Sequence, residues 1–126
     1  MRKKYKLTEE MKNFYGITLH RIEALRDFSN IKAGDLGGWI ANETNLSQSG
    51  DAWVYDNAKV YDNAKVYGNA EVYDNAKVYD NAEVCGDAWV YDNAKVYDNA
   101  KVYDNAEVCG NAEVCDNAQV CGDMVI

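Results

Sequence analysis

Four cysteines stand at positions 85, 109, 115 and 121, each in the same slot of a repeating six-residue unit. Regularly spaced thiols point to disulfides or to a zinc site. Both need the sulfurs to converge. With three hexads to a turn, stacked neighbours lie 18 residues apart, and no two cysteines do. Cys85 and Cys121 fall two rungs apart, roughly 10 Å at the usual strand spacing and beyond the reach of a disulfide. Cys109, Cys115 and Cys121 fall on three different sides. The reading is four reduced thiols in a reducing compartment, with no metal.

The other chemical candidates are few. His20 is the chain's one histidine, and it sits in an alternating stretch with Leu19, Ile22 and Leu25. That context makes it a structural or surface histidine, with no Ser/His/Asp or Cys/His partner to activate. Asp62, Asp80, Asp98 and Asp116 form a stacked column that could attract a hard cation. As turn residues near lysines they read as solvated corners. Gly34–Gly38 lacks the spacing and the lysine of a phosphate loop. No catalytic residue, cofactor or metal is expected.

The element that must position everything else is the hexad itself. From Gly50 to Ile126 it reads Asp/Gly–Asn/Asp–Ala–x–Val–Tyr/Cys, with valine at every sixth position from Val54 to Val120. Short-period self-similarity is the signature of a solenoid. Within a hexad, x points out, Val in and Tyr out, a strand of about three residues. The Asp–Asn pair tolerates left-handed backbone angles and makes the corner. Ala, small and inward, follows it. Strand and corner alternate with no room for hairpins, so the strands coil in parallel. Gly50–Cys85 and Gly86–Cys121 are nearly the same 36-residue block, two coils long.

Folding the sequence at 18 residues sorts the outward positions into three faces. The first carries Trp53, Glu71, Trp89 and Glu107, with Tyr55, Tyr73, Tyr91 and Cys109. The second carries Lys59, Lys77, Lys95 and Glu113, with Tyr61, Tyr79, Tyr97 and Cys115. The third carries Lys65, Glu83, Lys101 and Gln119, with Tyr67, Cys85, Tyr103 and Cys121. Tyrosines in register stack and tie adjacent rungs together. Only the first face adds tryptophan and lacks lysine. Trp53, Tyr55, Tyr73, Trp89 and Tyr91 are therefore the candidate lateral contact surface. Met124, Val125 and Ile126 are the candidate end contact.

Residues 1–48 break the repeat. Lys4–Thr8 and Thr18–Leu25 alternate apolar and polar residues. They predict two strands, with either a turn or a short helical stretch around Glu9–Phe14 between them. Ala33–Gly38 reads as a glycine-rich turn. Trp39-Ile40 and Leu46 open a degenerate first coil, whose register slips by two near Ser47–Gly50. The expected division is a cap over 1–38 and a parallel β-helix over 39–126.

The run Ala24-Leu25-Arg26-Asp27-Phe28, then Ile31-Lys32-Ala33-Gly34, Gly37-Gly38-Trp39, Asn45-Leu46-Ser47-Gln48 and Gly50–Tyr55, together with the hexads, resembles the YdcK-like hexapeptide-repeat proteins. The resemblance covers nearly the whole chain. It implies an all-β fold, a three-sided left-handed parallel β-helix with a small β-rich cap. It carries a transferase label that rests on fold analogy, and fold alone does not establish function. Similar short chains are common in phages and prophages. Hexapeptide acyltransferases use a histidine base beside a loop leaving the coil, and this chain has no insertion between Gly50 and Ile126.

Charge narrows the partners. The formal charge of −8 divides into +4 over residues 1–33 and −12 over the rest. An acidic rod disfavours direct nucleic-acid binding. No apolar run approaches the roughly 20 residues of a spanning helix. Met1–Lys6 is basic, but no apolar segment follows as in a secretory signal. The expectation is a cytoplasmic protein, in a host cell if phage-encoded, that serves as a non-enzymatic interaction or scaffold module. The alternatives are an anti-defence inhibitor whose acidic rod binds a basic nucleic-acid-handling host protein, and an acyltransferase of the hexapeptide class. Self-association is expected too, end-to-end as a dimer first and laterally as a trimer second.

Overall fold

The computed structural model describes residues 3–126, so Met1 and Arg2, the start of the basic Met1–Lys6 stretch, lie outside the described residues. The chain is a parallel β-solenoid entered through an antiparallel hairpin. Strand β1 (Tyr5–Phe14) pairs with β2 (Ile17–Ala24), and β2 pairs with β3 (Leu36–Ile40). Twelve two-residue strands follow, from β4 (Trp53–Val54) to β15 (Gln119–Val120).

The regular strands are shorter than the three residues expected, because the tyrosine already bends toward the corner. Hydrogen bonding between rungs nevertheless covers most of the hexad. Trp53 N donates to Ala70 O (3.1 Å), Tyr55 N to Val72 O (2.8 Å) and Asn57 N to Asp74 O (3.1 Å). The corner closes on itself, with Ala58 N donating to Tyr55 O at 3.1 Å. Its first central residue, Asp56, has φ 56°, which is the pattern of a type II′ turn. Aspartates at the equivalent corners all take the same left-handed angle.

Aspartate does more there than tolerate the angle. Asp62 Oδ2 accepts from Asp80 N (3.3 Å), Asp80 Oδ2 from Asp98 N (3.1 Å) and Asp98 Oδ2 from Asp116 N (3.0 Å). Each carboxylate thus receives the amide of the same corner one rung later. The second corner residue adds an amide ladder, with Asn63 donating to Asn81 (3.3 Å) and Asn81 to Asn99 (3.4 Å).

Three sheets result. One runs from the hairpin through β3 into the strands of Lys59, Lys77, Lys95 and Glu113. The other two contain the strands of the first and third faces. Every rod pair follows the 18-residue spacing, as in Val54 with Val72 and Val90 with Val108. The first coil is longer by two residues, since Ile40 pairs with Val60 and Leu46 with Val66. The slip falls where the sequence places it. Valines from Val54 to Val120 are buried, as are the alanines from Ala52 to Ala106.

The head resolves one open reading and departs from expectation at another point. The Glu9–Phe14 stretch is strand, not helix: β1 continues through an irregularity between Leu7 and Met11, and the chain reverses at Tyr15-Gly16, both at positive φ. The Ala33–Gly38 run is not wholly a turn. Leu36, Gly37 and Gly38 belong to β3, which straddles the boundary drawn at residue 38. A Cβ at Gly37 would lie 2.6 Å from Val54 O, and one at Gly38 would lie 2.8 Å from Ala58 O. Glycine there lets the entering strand press against the first regular coil.

The cap holds by buried polar contacts. Lys4 is buried, and its Nζ donates to Ala52 O at 2.7 Å. Tyr5 Oη donates to Leu46 O at 2.6 Å, and Gln48 Oε1 accepts from Lys4 N at 2.8 Å. Burial, then the nearby Arg26 charge, push the Lys4 ammonium down to about 8, with Asp51 opposing.

Replacing Val90 by Asp places an unpaired charge in a mid-rod rung and should cost about 3–5 kcal/mol in denaturant unfolding. Asp98→Ala should cost about 1–2 kcal/mol from the left-handed angle alone, and Asp98→Gly less. An unchanged unfolding midpoint for Val90→Asp would contradict the interior assigned here.

Candidate functional site

The outward positions form the three columns expected, but they are unequal in what covers them. The second face is partly roofed by the hairpin tip: Phe14 packs edge-on against Tyr61 at 5.6 Å. Lower on that side, Trp39 lies between Lys12 (4.0 Å) and the Arg21 guanidinium (4.7 Å). On the first face, Trp53 is not a surface residue. It is 1% exposed, covered by Phe28 (centroids 5.2 Å) and Tyr5 (6.1 Å). The sequence assigned it to the contact surface because nothing local shows that the Phe28 loop folds over it. Trp89, one block later with no cap above it, is 41% exposed.

The tyrosine ladders follow a rule visible in the hexads. Where the next rung supplies another tyrosine after Lys or Trp, the rings stack. Tyr61 on Tyr79 (5.1 Å, 1°), Tyr79 on Tyr97 (5.0 Å, 4°) and Tyr73 on Tyr91 (4.9 Å, 2°) do so. Where the next rung reads Glu/Gln-Val-Cys, there is no ring to meet, and the phenol donates to the Glu or Gln instead. Tyr67 reaches Glu83 (2.8 Å), Tyr91 Glu107 (2.8 Å), Tyr97 Glu113 (2.7 Å) and Tyr103 Gln119 (2.9 Å). Tyr55 is intermediate: Glu71 is its neighbour, and its ring meets Tyr73 edge-on at 6.2 Å. Cys109 and Cys115 thus end tyrosine stacks, and Cys85 and Cys121 each follow a single tyrosine. The signal was present in the sequence, since Glu or Gln stands two residues before each of the four cysteines.

These contacts raise the phenols. Tyr97 and Tyr91 are lifted by the Glu113 and Glu107 hydrogen bonds, and Tyr67 by contacts to Cys85 and Glu83. Burial lifts Tyr55 and Tyr73 to about 12. The cysteines are half-buried free thiols, and Tyr103 stands between Cys85 and Cys121 on their shared face.

The remaining candidates have structural employment. His20 Nδ1 lies 3.2 Å from Thr8 O across the hairpin. Asp98, Cys115 and Asp116 bring ligand atoms within 4.8 Å of one another, but Asp98 Oδ2 already accepts the Asp116 amide. Met124, Val125 and Ile126 are exposed over the final rung, where Val125 bridges to Glu107. Tyr55, Tyr73 and Tyr91 are half-buried along the first face. Beside Trp89 a recess of about 400 Å³ is lined by Ser29, Asp87, Glu71 and Glu107, among others.

Stacked parallel coils, an inward valine every sixth residue and one corner in every hexad decide the fold. The fold is a β-solenoid of hexapeptide repeats. Over 62 residues it is 40% identical to the uncharacterized acetyltransferase YdcK of Escherichia coli (strain K12), a match covering 43% of this chain and 19% of that relative. No family model matches. The hexapeptide-repeat match therefore spans about a fifth of the relative's length.

The alkaline response of this protein should be two-phased. Lys4 has a folded pKa below its unfolded value, so the unfolded chain binds more protons between about pH 8 and 10 and stability rises with pH there. The tyrosines have folded pKa values above 10.0, so their contribution is intact below pH 10 and is lost as pH rises through their folded values. Denaturant midpoints should fall beyond pH 10, with tyrosinate absorbance appearing late and together with unfolding. Tyrosinate formation at pH 10 in a folded Tyr15→Phe variant, which lacks the exposed hairpin-tip phenol, would refute the ladder. Thiol titration of denatured, non-reduced protein should count four groups; two or none would refute the register.

Proposed function

We propose that this chain is a non-enzymatic protein-interaction module and that the first lateral face is its contact surface. The observation that carries this reading is the asymmetry of the three faces. The second and third present lysines beside their glutamates. The first presents Trp89, Tyr73 and Tyr91 with Glu71 and Glu107 and no lysine. An exposed aromatic group on a rigid, in-register sheet is the composition of interface centres. It also loses little conformational entropy on contact, because the rungs already hold the rings.

The partner would be a protein, or a second copy packing laterally. In a phage setting the acidic rod would suit a basic, nucleic-acid-handling host protein, and binding would then act as inhibition. No described helix is long and apolar enough to cross a membrane. A second reading, acyl transfer, is favoured by the match to the uncharacterized acetyltransferase YdcK of Escherichia coli. It would need a base, for which His20 is the available histidine, and the Thr8 carbonyl already engages its ring.

A photo-crosslinking amino acid at Tyr73 should give a discrete adduct in producing cells, and the same group at Lys101 on the third face should not. Equal adducts at both positions would overturn the choice of face. Release of free coenzyme A from acetyl-CoA by the wild type, lost in a folded His20→Ala variant, would overturn the non-enzymatic reading.

A further inference from the structure

The chain packs its own cations over several of its aromatic rings, two of them buried. Trp39 carries Lys12 and Arg21, Phe28 carries Lys4 at 5.1 Å and Arg26 at 5.8 Å, and Phe14 carries Lys59 at 5.2 Å. Trp89 has no such partner among the described residues. It is also the ring best furnished for one. In register it stands between Glu71 on the rung before and Glu107 on the rung after.

Those two carboxylates are unlike the others on the rod. Glu113 is in register with Lys95, and Glu83 with Lys65 and Lys101. Glu71 lies between Trp53 and Trp89, and Glu107 between Trp89 and Val125, so neither has a lysine as strand neighbour. Tyr91 Oη holds one oxygen of Glu107 at 2.8 Å, which orients the group and leaves the second oxygen open. Burial lifts the Glu71 carboxyl above its ordinary range although Tyr55 opposes this, as befits an anion without a countercharge. Asp87 lies in the same recess.

We infer that Trp89, flanked by Glu71 and Glu107, receives an arginine side chain from a basic partner protein. This rests on the reading of the first face as the contact surface and names what it recognises. Arginine fits better than lysine. Its planar guanidinium stacks on the indole while its edge N–H groups fork toward carboxylates on either side. The rung spacing places those carboxylates about 5 Å above and below the ring.

The test uses a fluorescein-labelled Ser-Gly-Arg-Gly-Arg-Gly-Ser peptide and its citrulline counterpart, with anisotropy read at physiological salt. The arginine peptide should bind, and citrulline should weaken it by about tenfold or more, the equivalent of about 1.4 kcal/mol. Trp89→Lys should weaken it similarly. That variant folds, because lysine occupies the same slot at Lys59, Lys65, Lys77, Lys95 and Lys101. Glu71→Gln/Glu107→Gln should also lose binding. Asp62→Asn/Asp80→Asn removes the same charge from a corner and should leave affinity within about twofold. Equal losses from both double variants, or binding indifferent to Trp89→Lys, would overturn the site in favour of general attraction to an acidic rod. A Tyr73 photoadduct without arginine-peptide binding would overturn the arginine assignment and leave the face reading standing. Absence of both would overturn both.

Discussion

The corner is the interaction on which everything else depends. Every sixth residue must enter the left-handed region, and an L-residue other than glycine does so at a cost. Aspartate offsets that cost by accepting the amide of the same corner one rung later. The bond both fixes the turn and fixes its distance to the next turn. Corners so locked keep valine over valine through the interior, and the outward columns inherit their alignment from that. Stacked tyrosines and unbroken faces are consequences of a register set at the corners.

A uniform interior has a functional consequence. Val and Ala leave no room for chemistry inside, and Asp and Asn are committed at the corners. The x position and the residue after valine are what remain free to vary. The protein uses them differently on each face: lysines with glutamate on the second and third, aromatic and acidic groups on the first. The tyrosine that meets a cysteine rung turns its hydroxyl to a glutamate, so even the interruptions of the ladder are hydrogen-bonded. Binding in such a molecule is a matter of surface pattern on a rigid support, not of a pocket.

Most of this architecture was legible in the hexads, since period, inward valine and corner residues are local signals. The two-residue slip of the first coil was visible as well, in the spacing of Ile40, Leu46 and Val54. The sequence left Glu9–Phe14 open between strand and helix because a short amphipathic run fits both, and pairing with β2 decides for strand. Trp53 and Trp89 occupy identical hexads, yet one is buried and one exposed. The difference comes from Phe28 and Tyr5, brought over Trp53 by tertiary contacts that no periodicity encodes. The same contacts reduce the candidate face to its upper half, around Trp89.

The central claim is that recognition lies on one stripe of the rod and not in its overall charge. Amide chemical-shift mapping of isotope-labelled protein with the arginine peptide measures this directly. The account predicts perturbations at Glu71–Tyr73, Trp89–Tyr91 and Glu107, recurring at the 18-residue spacing along the first face. Perturbations spread evenly over the Asp62, Asp80, Asp98 and Asp116 corners would contradict it.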